Sequence, residues 1–241
     1  MVDLELDDGL AVLTIDRPHA RNAISLDTMA ELEKALDDLD SRADTRALVI
    51  TGAGDRAFVS GGDLKELSAI RTVEEASAMA WRMRTICDRL AEFPAPVIAA
   101  LNGHAFGGGA EVAVAADIRI AVDDAKIAFN QVALAIMPAW GGAERLATLV
   151  GRGTALLLAG SGTPVDATEA LRIGLVDRVV PRESFGASWR SLARSLANRP
   201  AAEIKRVIAG ATAEEAVASF TRLWVADEHW EAADKVMRPK A

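Results

Sequence analysis

The stretch Leu101-Asn-Gly-His-Ala-Phe-Gly-Gly-Gly-Ala-Glu-Val-Ala-Val-Ala-Ala-Asp117 decides the fold, because it joins a predicted strand to a predicted helix through a glycine turn. The apolar run Pro96-Val-Ile-Ala-Ala-Leu101 has the length of a strand, and the alanine-rich run after the glycines has the composition of a helix. The first amides of such a helix have no partner inside it, and the helix dipole adds partial positive charge there. Because glycine has no Cβ, a ligand can approach this backbone closely. The pattern therefore predicts a site for an oxygen that carries negative charge.

Glu111 lies in the first turns of this predicted helix, among alanines and valines. A carboxylate in such an apolar turn is either a partner of the helix dipole or a catalytic acid/base. Three glycines before a helix also occur where a helix packs closely on a sheet. The spacing is not that of a dinucleotide-binding turn, and no Gly-Lys-Ser/Thr follows as in a phosphate loop. The motif alone thus leaves a packing role and a catalytic role open.

The composition predicts a globular protein without metal or nucleic acid. The chain has 241 residues, 51% hydrophobic and 26% charged, which predicts one large domain, or one with a small appendage. The net charge of -8 argues against nonspecific binding of nucleic acid. Cys87 is the single cysteine, and three histidines accompany it, so we expect a reducing, cytoplasmic location and no metal site. The acidic N-terminus lacks a signal-peptide pattern, and no apolar run predicts a membrane helix.

Strands and helices alternate as far as Pro181, and only helices are predicted after it. An Asp-Gly turn joins the first two strands, 2–6 and 10–15, in a hairpin. Further strands are predicted at 47–51, 96–101, 118–122, 125–129 and 175–180. Capping residues mark several helix starts: Ser25, Thr72 with Glu75, Asp166 with Glu169, and Thr212 with Glu215. The pattern indicates an α/β body followed by an α-helical tail.

A second glycine turn, Ser60-Gly-Gly-Asp63, leads into another predicted helix, and by itself it indicates only a loop with an aspartate cap. Together, the two turns resemble the paired signatures of the crotonase family, the enoyl-CoA hydratases and isomerases. Further matching segments follow in chain order and extend the resemblance to nearly the whole chain: Arg17-Pro18 with Arg21-Asn-Ala23, Pro96-Val-Ile-Ala-Ala100, Pro138-Ala-Trp-Gly-Gly142 and Ala170-Leu-Arg-Ile-Gly-Leu-Val-Asp177.

The resemblance implies an α/β fold in which ββα units repeat as a spiral of two near-perpendicular sheets. It assigns residues 1–181 to this crotonase-like core and residues 182–241 to a C-terminal helical region that supports oligomerisation. The expected assembly is a homotrimer or, as a pair of trimers, a homohexamer. Trp189, Trp224 and Trp230 in the helical region lie either in the core or at a subunit contact, and core packing is the simpler expectation for each.

The resemblance also implies an acyl-CoA thioester as substrate and no separate cofactor, because coenzyme A is part of the substrate. Gly62 and Gly108 match the two amide donors of an oxyanion hole, and Glu111 matches the acid/base. Two fixed amides stabilise the negative charge that develops on the thioester oxygen. The other matched positions are expected to bind substrate: Ser60, Gly61, Asp63 and Leu64 along the CoA path, Arg21 and Ala23 beside the adenine or pantetheine, and Trp140 at the acyl pocket. Asp63 has the alternative role of holding its loop.

The chain departs from the hydratases of this family at the second of their two glutamates. The segment that resembles their Gln-Pro-Glu reads Phe129-Asn-Gln-Val-Ala133, with Ala133 at the carboxylate position. A positioned acid/base contributes about 10²–10⁴-fold to a rate, and neither Gln131 nor Glu144 matches the position. Three hypotheses follow: hydration of a 2-enoyl-CoA with Glu111 as the main base, decarboxylation of a malonyl-CoA-like thioester, and a catalytically weakened protein that binds acyl-CoA. Isomerase chemistry is a further alternative within the family.

Overall fold

The computed structural model describes residues 1–237, in which strands and helices alternate before a run of helices, as the sequence predicts. The strands are β1 (Val2–Asp7), β2 (Leu10–Ile15), β3 (Ala47–Gly52), β4 (Ala57–Val59), β5 (Val97–Leu101), β6 (His104–Phe106), β7 (Ile118–Val122), β8 (Lys126–Ala128), β9 (Val165–Asp166) and β10 (Arg178–Val180). The helices are α1 (Leu26–Asp40), α2 (Leu64–Leu67), α3 (Val73–Ala91), α4 (Gly108–Ala113), α5 (Gly142–Val150), α6 (Arg152–Ser161), α7 (Ala167–Arg172), α8 (Arg182–Leu196), α9 (Arg199–Ile208), α10 (Ala213–Trp224) and α11 (Asp227–Met237).

The strands form two sheets, and strands β3 to β8 alternate between them along the chain. The six-stranded sheet has the order β1-β2-β3-β5-β7-β10, and the four-stranded sheet has the order β4-β6-β8-β9. In each of the pairs β3–β4, β5–β6 and β7–β8, the first strand lies in the six-stranded sheet and the second in the four-stranded sheet. A helical segment follows each pair. These are the repeated ββα units that the resemblance implies, and the predicted fold class is confirmed.

The six-stranded sheet is mostly parallel and forms the centre of the core. β2, β3, β5, β7 and β10 pair in parallel, whereas β1 and β2 pair antiparallel. β3 and β5 are buried at every position, which explains why their sequences are continuous apolar runs without alternation. The first two strands form the predicted hairpin, in which Asp8 and Gly9 have φ angles of 44° and 81°. Two positive φ angles suit the twist of a hairpin, and Asp-Gly is a favoured pair for them.

Three strands of the structure, β4, β6 and β9, were not predicted from the sequence, and one predicted strand begins later than expected. His104–Phe106 forms β6 between the strand at Val97–Leu101 and the glycine turn. Three residues are too few for an alternating pattern to appear. The strand predicted at 175–180 begins only at Arg178. Its first residues instead end the preceding helix, because the amides of Leu175 and Val176 both donate to the carbonyl of Ala170.

The predicted helix starts are confirmed, with one difference in a cap. Asp166 accepts a hydrogen bond from the amide of Glu169 at 2.8 Å, as an N-cap does. The predicted return bond of a capping box does not form there, because the Glu169 carboxylate pairs with Arg172. The caps that form as predicted are Ser25, Thr72 with Glu75, and Thr212 with Glu215.

The C-terminal helices differ in how far they are buried. α8 packs against β3, β7 and β10 and buries Phe185 and Trp189. Within the described chain, α9 and α11 have no buried residue, and α10 buries only Ser219. Trp224 and Trp230 are 45% and 47% exposed, so core packing was the right expectation for Trp189 and the wrong one for these two. The last four residues of the predicted helical region, 238–241, lie outside the described residues.

Candidate active site

The carboxyl ends of two parallel strands bring the glycine turns together. β4 leads into the turn at 60–63, β6 leads into the turn at 107–109, and the two strands are parallel neighbours. A Cβ placed on Gly61 would lie 3.2 Å from the carbonyl oxygen of Phe106 and 3.4 Å from the nitrogen of Gly108. The two turns therefore touch through their backbones, as a shared site requires.

The three consecutive glycines have different roles. Gly107 has a φ of 54°, which favours a residue without a Cβ. A Cβ on Gly109 would lie 1.9 Å from the carbonyl oxygen of Val59, so this glycine lets α4 pack closely on β4. A Cβ on Gly108 would lie 2.0 Å from Cζ3 of Trp140, so the indole takes the space of the absent side chain. Gly109 therefore has the packing role that the motif allows, because it faces the backbone of β4. Gly108 instead faces the side chain of Trp140.

The backbone amides of Gly62 and Gly108 are candidate donors to a ligand. Among residues 1–237, neither N–H donates a hydrogen bond to a protein acceptor, although the neighbouring Asp63 amide donates to the carbonyl of Ile24 at 2.8 Å. Buried N–H groups are nearly always paired in native proteins, and Gly108 is buried. Two amides without a protein partner at touching turns are the arrangement expected of donors to an anionic oxygen.

The early loop runs beside the turn at 60–63. The Ile24 amide donates to the carbonyl of Gly61 at 2.8 Å, and the Ser60 amide donates to the carbonyl of Arg21 at 3.2 Å. Arg21 and Asn22 both have left-handed φ angles, 53° and 57°, which bend the loop. Asn22 holds this bend, because its side-chain amide donates to the carbonyls of β4 and of the preceding loop at 2.8 and 2.9 Å. No role was predicted for Asn22 from the sequence, although asparagine is a residue that tolerates this conformation.

Asp63 has the contacts of a residue that holds its loop. Its carboxylate forms a salt bridge with Arg17 at 3.0 Å and caps α2 by accepting from the Lys65 amide at 3.2 Å. Partial burial raises its pKa, but the hydrogen bonds from Arg17 and from backbone amides outweigh burial, so the pKa lies below the ordinary value. These contacts agree with the structural alternative for Asp63. Leu64, also predicted on the CoA path, is 60% exposed.

Glu111 is enclosed at the centre of the site. It is 2% exposed, and every residue of its helix α4 is buried. Its Oε2 accepts from the backbone amides of Trp140 at 2.7 Å and Gly142 at 3.0 Å, and its Oε1 accepts from Nε2 of Gln131 at 2.8 Å. An ionised carboxylate has about four lone-pair positions. The three bonds therefore leave one acceptor position, on Oε1.

Burial and hydrogen bonding act in opposite directions on Glu111. Burial is the larger influence and raises its pKa, while the bonds from Gly142, Trp140 and Gln131 lower it in part. The net result is a pKa above the ordinary value, a direction of shift that is also found in catalytic acids and bases. Gly142 has no room for a side chain, because a Cβ there would lie 2.3 Å from Cγ of Glu111.

The groups around the missing second carboxylate do not replace it. Ala133 is exposed, in the 3₁₀ turn at Asn130–Leu134. Glu144 turns away to Arg84, with which it forms a salt bridge at 2.8 Å. The side-chain oxygen of Gln131 is buried and has no hydrogen-bond partner among the described residues. A buried polar atom of this kind is a position at which water binds, so Gln131 supplies an acceptor next to Glu111 but no second acid.

A polar groove of about 520 Å³ adjoins the turn at 60–63. Arg21 and Ser60, both predicted to bind substrate, line it, whereas Ala23 is buried and does not line it. His104 and Phe106 also line it, with their rings stacked at 5.5 Å. The groove is also lined by two arginines that were not predicted from the sequence, Arg56 and Arg182. No motif marked them, because the topology rather than the spacing brings them to the groove.

Within residues 1–237, three further features concern metal ligands, the single thiol and the helices. No group of three or more histidine, cysteine, aspartate or glutamate side chains is placed to hold a metal ion in this part of the chain. Cys87 is fully buried, and burial raises the pKa of its thiol to about 12, which removes it as a nucleophile. None of the helices formed by these residues has both the length and the apolar character to cross a bilayer.

The fold and the site define a class of protein: two sheets built from ββα units, with free amides at paired glycine turns and a buried carboxylate behind them. The chain belongs to the enoyl-CoA hydratase/isomerase family, because the family model described as Enoyl-CoA hydratase/isomerase matches residues 5–222.

Individual relatives agree with this assignment. The chain is 39% identical over 202 residues to the short-chain-enoyl-CoA hydratase of Clostridium acetobutylicum, covering 83% of this chain and 77% of that one. It is 40% identical over 184 residues to the crotonyl-CoA hydratase of Syntrophomonas wolfei, covering 76% and 70%. The crystal structure of enoyl-CoA hydratase from Bacillus anthracis superimposes with a TM-score of 0.88 at 30% identity, covering 99% of this chain and 98% of that one. Pseudomonas aeruginosa DspI gives 0.89 at 33%, covering 100% and 96%.

Proposed function

We propose that this protein hydrates 2-enoyl-CoA thioesters through an enolate held by two backbone amides. The observation that carries the proposal is the combination of the free Gly62 and Gly108 amides with one buried carboxylate, Glu111. The names of its relatives, a short-chain-enoyl-CoA hydratase and a crotonyl-CoA hydratase, support a CoA thioester as the substrate. No separate cofactor is needed for this chemistry.

In the proposed reaction, the thioester oxygen accepts hydrogen bonds from Gly62 and Gly108. Water adds its oxygen to Cβ of the enoyl group, and the proton of that water passes to the free position on the Glu111 carboxylate. The electrons of the double bond move onto the thioester oxygen as an enolate, and Cα then takes a proton from a second water. The hydroxide left by that water takes the proton back from Glu111, which regenerates the carboxylate. The product is a 3-hydroxyacyl-CoA. One oxyanion-hole donor contributes about 2.7–4 kcal/mol to such a step.

Decarboxylation of a malonyl-CoA-like thioester is the second candidate, and Ala133 in place of a second glutamate favours it. In that reaction the bond from Cα to the carboxylate breaks, carbon dioxide leaves, and the electron pair forms the same enolate. Protonated Glu111 then delivers its proton to Cα. Such a reaction requires only one acid, and the burial that raises the pKa of Glu111 above its ordinary value favours the protonated form.

Mass spectrometry of the purified protein with crotonyl-CoA and with methylmalonyl-CoA separates these candidates. Hydration adds the mass of one water to crotonyl-CoA, and decarboxylation removes carbon dioxide from the malonyl-type thioester. We expect the first result. Turnover of the malonyl-type thioester alone would reject hydration in favour of decarboxylation. Binding without turnover of either substrate would favour the weakened acyl-CoA-binding protein.

The groove beside the turn at 60–63 is the proposed site of the CoA phosphates. Arg21 and Arg56 line it, and neither forms a salt bridge with any residue between 1 and 237. A hydrogen bond to a charged group contributes about 1.5–3 kcal/mol. We therefore expect Arg21→Ala and Arg56→Ala each to weaken binding of butyryl-CoA by about tenfold in calorimetry. Arg152→Ala, an exposed arginine on α6, is the control. Equal affinities for butyryl-CoA in all three variants would contradict the proposal that the CoA phosphates bind in this groove.

The helical tail at α9–α11 is the proposed contact with a second copy of the chain. Its apolar side chains are largely exposed, among them Val217 at 64%, Phe220 at 59% and Trp224 at 45%. A surface of this kind marks an interface in a protein that folds stably. We propose that it lies between subunits of a homotrimer, or of a homohexamer made of two trimers.

Light scattering after size exclusion tests this assembly. We expect a mass of three or six times the chain mass of 25.5 kDa. The double substitution Phe220→Glu with Trp224→Glu places two charges on the apolar surface and is expected to shift the mass to that of one chain. Val73→Glu, at an exposed valine outside the tail, is the matched control and leaves the mass unchanged. A wild-type protein with the mass of one chain would contradict the assembly.

A further inference from the structure

Trp140 serves the site with its backbone and with its side chain. Its amide donates to Glu111 at 2.7 Å, and its carbonyl accepts from Arg145 at 3.1 Å. Its indole is 7% exposed and lies against Gly108, where Cζ3 and Cη2 come within 2.0 and 2.4 Å of the position that a Cβ would take. One residue therefore contacts both the proposed base and one proposed oxyanion-hole residue.

In the proposed reaction, the acyl group lies beside this indole. If the thioester oxygen is bound by the Gly108 amide, Cα and Cβ lie toward Glu111, and the Trp140 ring stands beside both residues. Leu67 supplies a second apolar wall, since its Cδ1 lies 2.8 Å from the Cβ position of Gly62, with indole atoms 4.0 Å from that same position. The acyl carbons beyond Cβ therefore meet the indole and Leu67. This region has little free space, since Glu111 beside it is only 2% exposed.

We infer, resting on the proposed function, that the Trp140 indole determines substrate specificity by closing the acyl end of the site to medium and long chains. The substrate class is then CoA thioesters with short acyl groups such as crotonyl. A hydrophobic pocket discriminates one methylene by about 10- to 200-fold, and several methylenes of a longer chain would have to displace a buried ring. The amide that holds Glu111 belongs to the backbone, so a change of the side chain alters the length limit and leaves this hydrogen bond in place.

Chain-length profiles of Trp140→Ala and Trp140→Phe test the inference. We expect the wild type to turn over crotonyl-CoA far faster than 2-octenoyl-CoA. In Trp140→Ala, we expect the ratio of kcat/KM for octenoyl to that for crotonyl to rise by at least about tenfold, with a smaller rise in Trp140→Phe. Trp189→Phe, at a buried tryptophan of α8, is the control and keeps the wild-type ratio. An unchanged ratio in soluble, folded Trp140 variants would overturn the inference while leaving the proposed function intact.

Binding of saturated thioesters tests the same inference without turnover. Calorimetry with butyryl-CoA and octanoyl-CoA is expected to give the wild type a clear preference for butyryl-CoA, and Trp140→Ala a preference for octanoyl-CoA. Should Trp140→Ala fail to fold, Trp140→Phe still gives a smaller shift in the same direction. Equal preference in wild type and variant would overturn the role of Trp140. Absence of binding to any CoA thioester by the folded wild type would reject the proposed function itself, and the inference with it.

Discussion

Glu111→Gln is expected to lower kcat by about 10²–10⁴-fold, because it removes the one group placed to exchange protons with the substrate. The glutamine fits the same cavity, since its oxygen can still accept from the amides of Trp140 and Gly142. Its new N–H₂ group faces Gln131, whose unpartnered oxygen becomes a suitable acceptor once that amide rotates. We therefore expect binding of butyryl-CoA, measured by calorimetry, to be largely spared.

The matched control for this variant is Glu144→Gln. Glu144 is the nearby carboxylate of α5, but it is exposed and paired with Arg84 at 2.8 Å. Its replacement is expected to leave kcat within about twofold, because the Glu144 carboxylate is paired with Arg84 and does not contact Glu111 or the glycine turns. Equal loss of activity in both variants would assign the second acid/base to Glu144. Full activity of Glu111→Gln would show that Glu111 is not the acid/base of the reaction.

The pH dependence of the wild type assigns the protonation state that Glu111 uses. The pKa of Glu111 is raised above its ordinary value of 4.5, first by burial. If ionised Glu111 takes a proton from water, kcat/KM rises with pH through this raised pKa, so the acid limb lies above the pH at which an exposed glutamate titrates. If protonated Glu111 donates to Cα in a decarboxylation, kcat/KM falls as pH rises through the same pKa. Whether kcat/KM rises or falls with pH therefore distinguishes hydration from decarboxylation. The Glu111→Gln variant is expected to lack this pH dependence.

The sequence predicts this fold well where a helix or strand has a clear hydrophobic pattern or a capping residue within its own segment. The helices with an N-cap such as Ser25, and the strands at Ala47–Gly52 and Val97–Leu101, follow directly from local patterns. The strand at His104–Phe106 has no such pattern, because three residues gain their conformation from pairing with β4 and β8. Long-range pairing, rather than local propensity, determines such an element.

The same distinction applies to the site. The two glycine turns are visible in the sequence because glycine is needed wherever the backbone is approached closely. The partners of Glu111 are not visible as partners, since Gln131, Trp140 and Gly142 reach it from the segment that follows β8. The groove arginines Arg56 and Arg182 come from distant parts of the chain, so no spacing could predict them.

Gly108→Pro in a Trp140→Ala background is expected to lower kcat by about 10²–10³-fold relative to Trp140→Ala alone, because proline lacks the N–H proposed to hold the enolate oxygen. The background is needed, since any side chain at Gly108 collides with the indole, whose Cζ3 lies 2.0 Å from the Cβ position. Gly108 is the first residue of α4, a position at which proline is well tolerated. The measurement is steady-state turnover of crotonyl-CoA by the folded double variant.

Gly108→Ala in the same background is the control that separates the N–H from the side chain. Alanine adds a Cβ to the space that the indole has left and retains the amide hydrogen, so this double variant is expected to keep most of the activity of Trp140→Ala. A large loss in the proline variant alone identifies the amide as the functional group. If alanine and proline cause equal losses while both proteins bind butyryl-CoA and fold normally, the space beside Gly108 matters and its amide does not, because the two variants differ chiefly in that one hydrogen-bond donor.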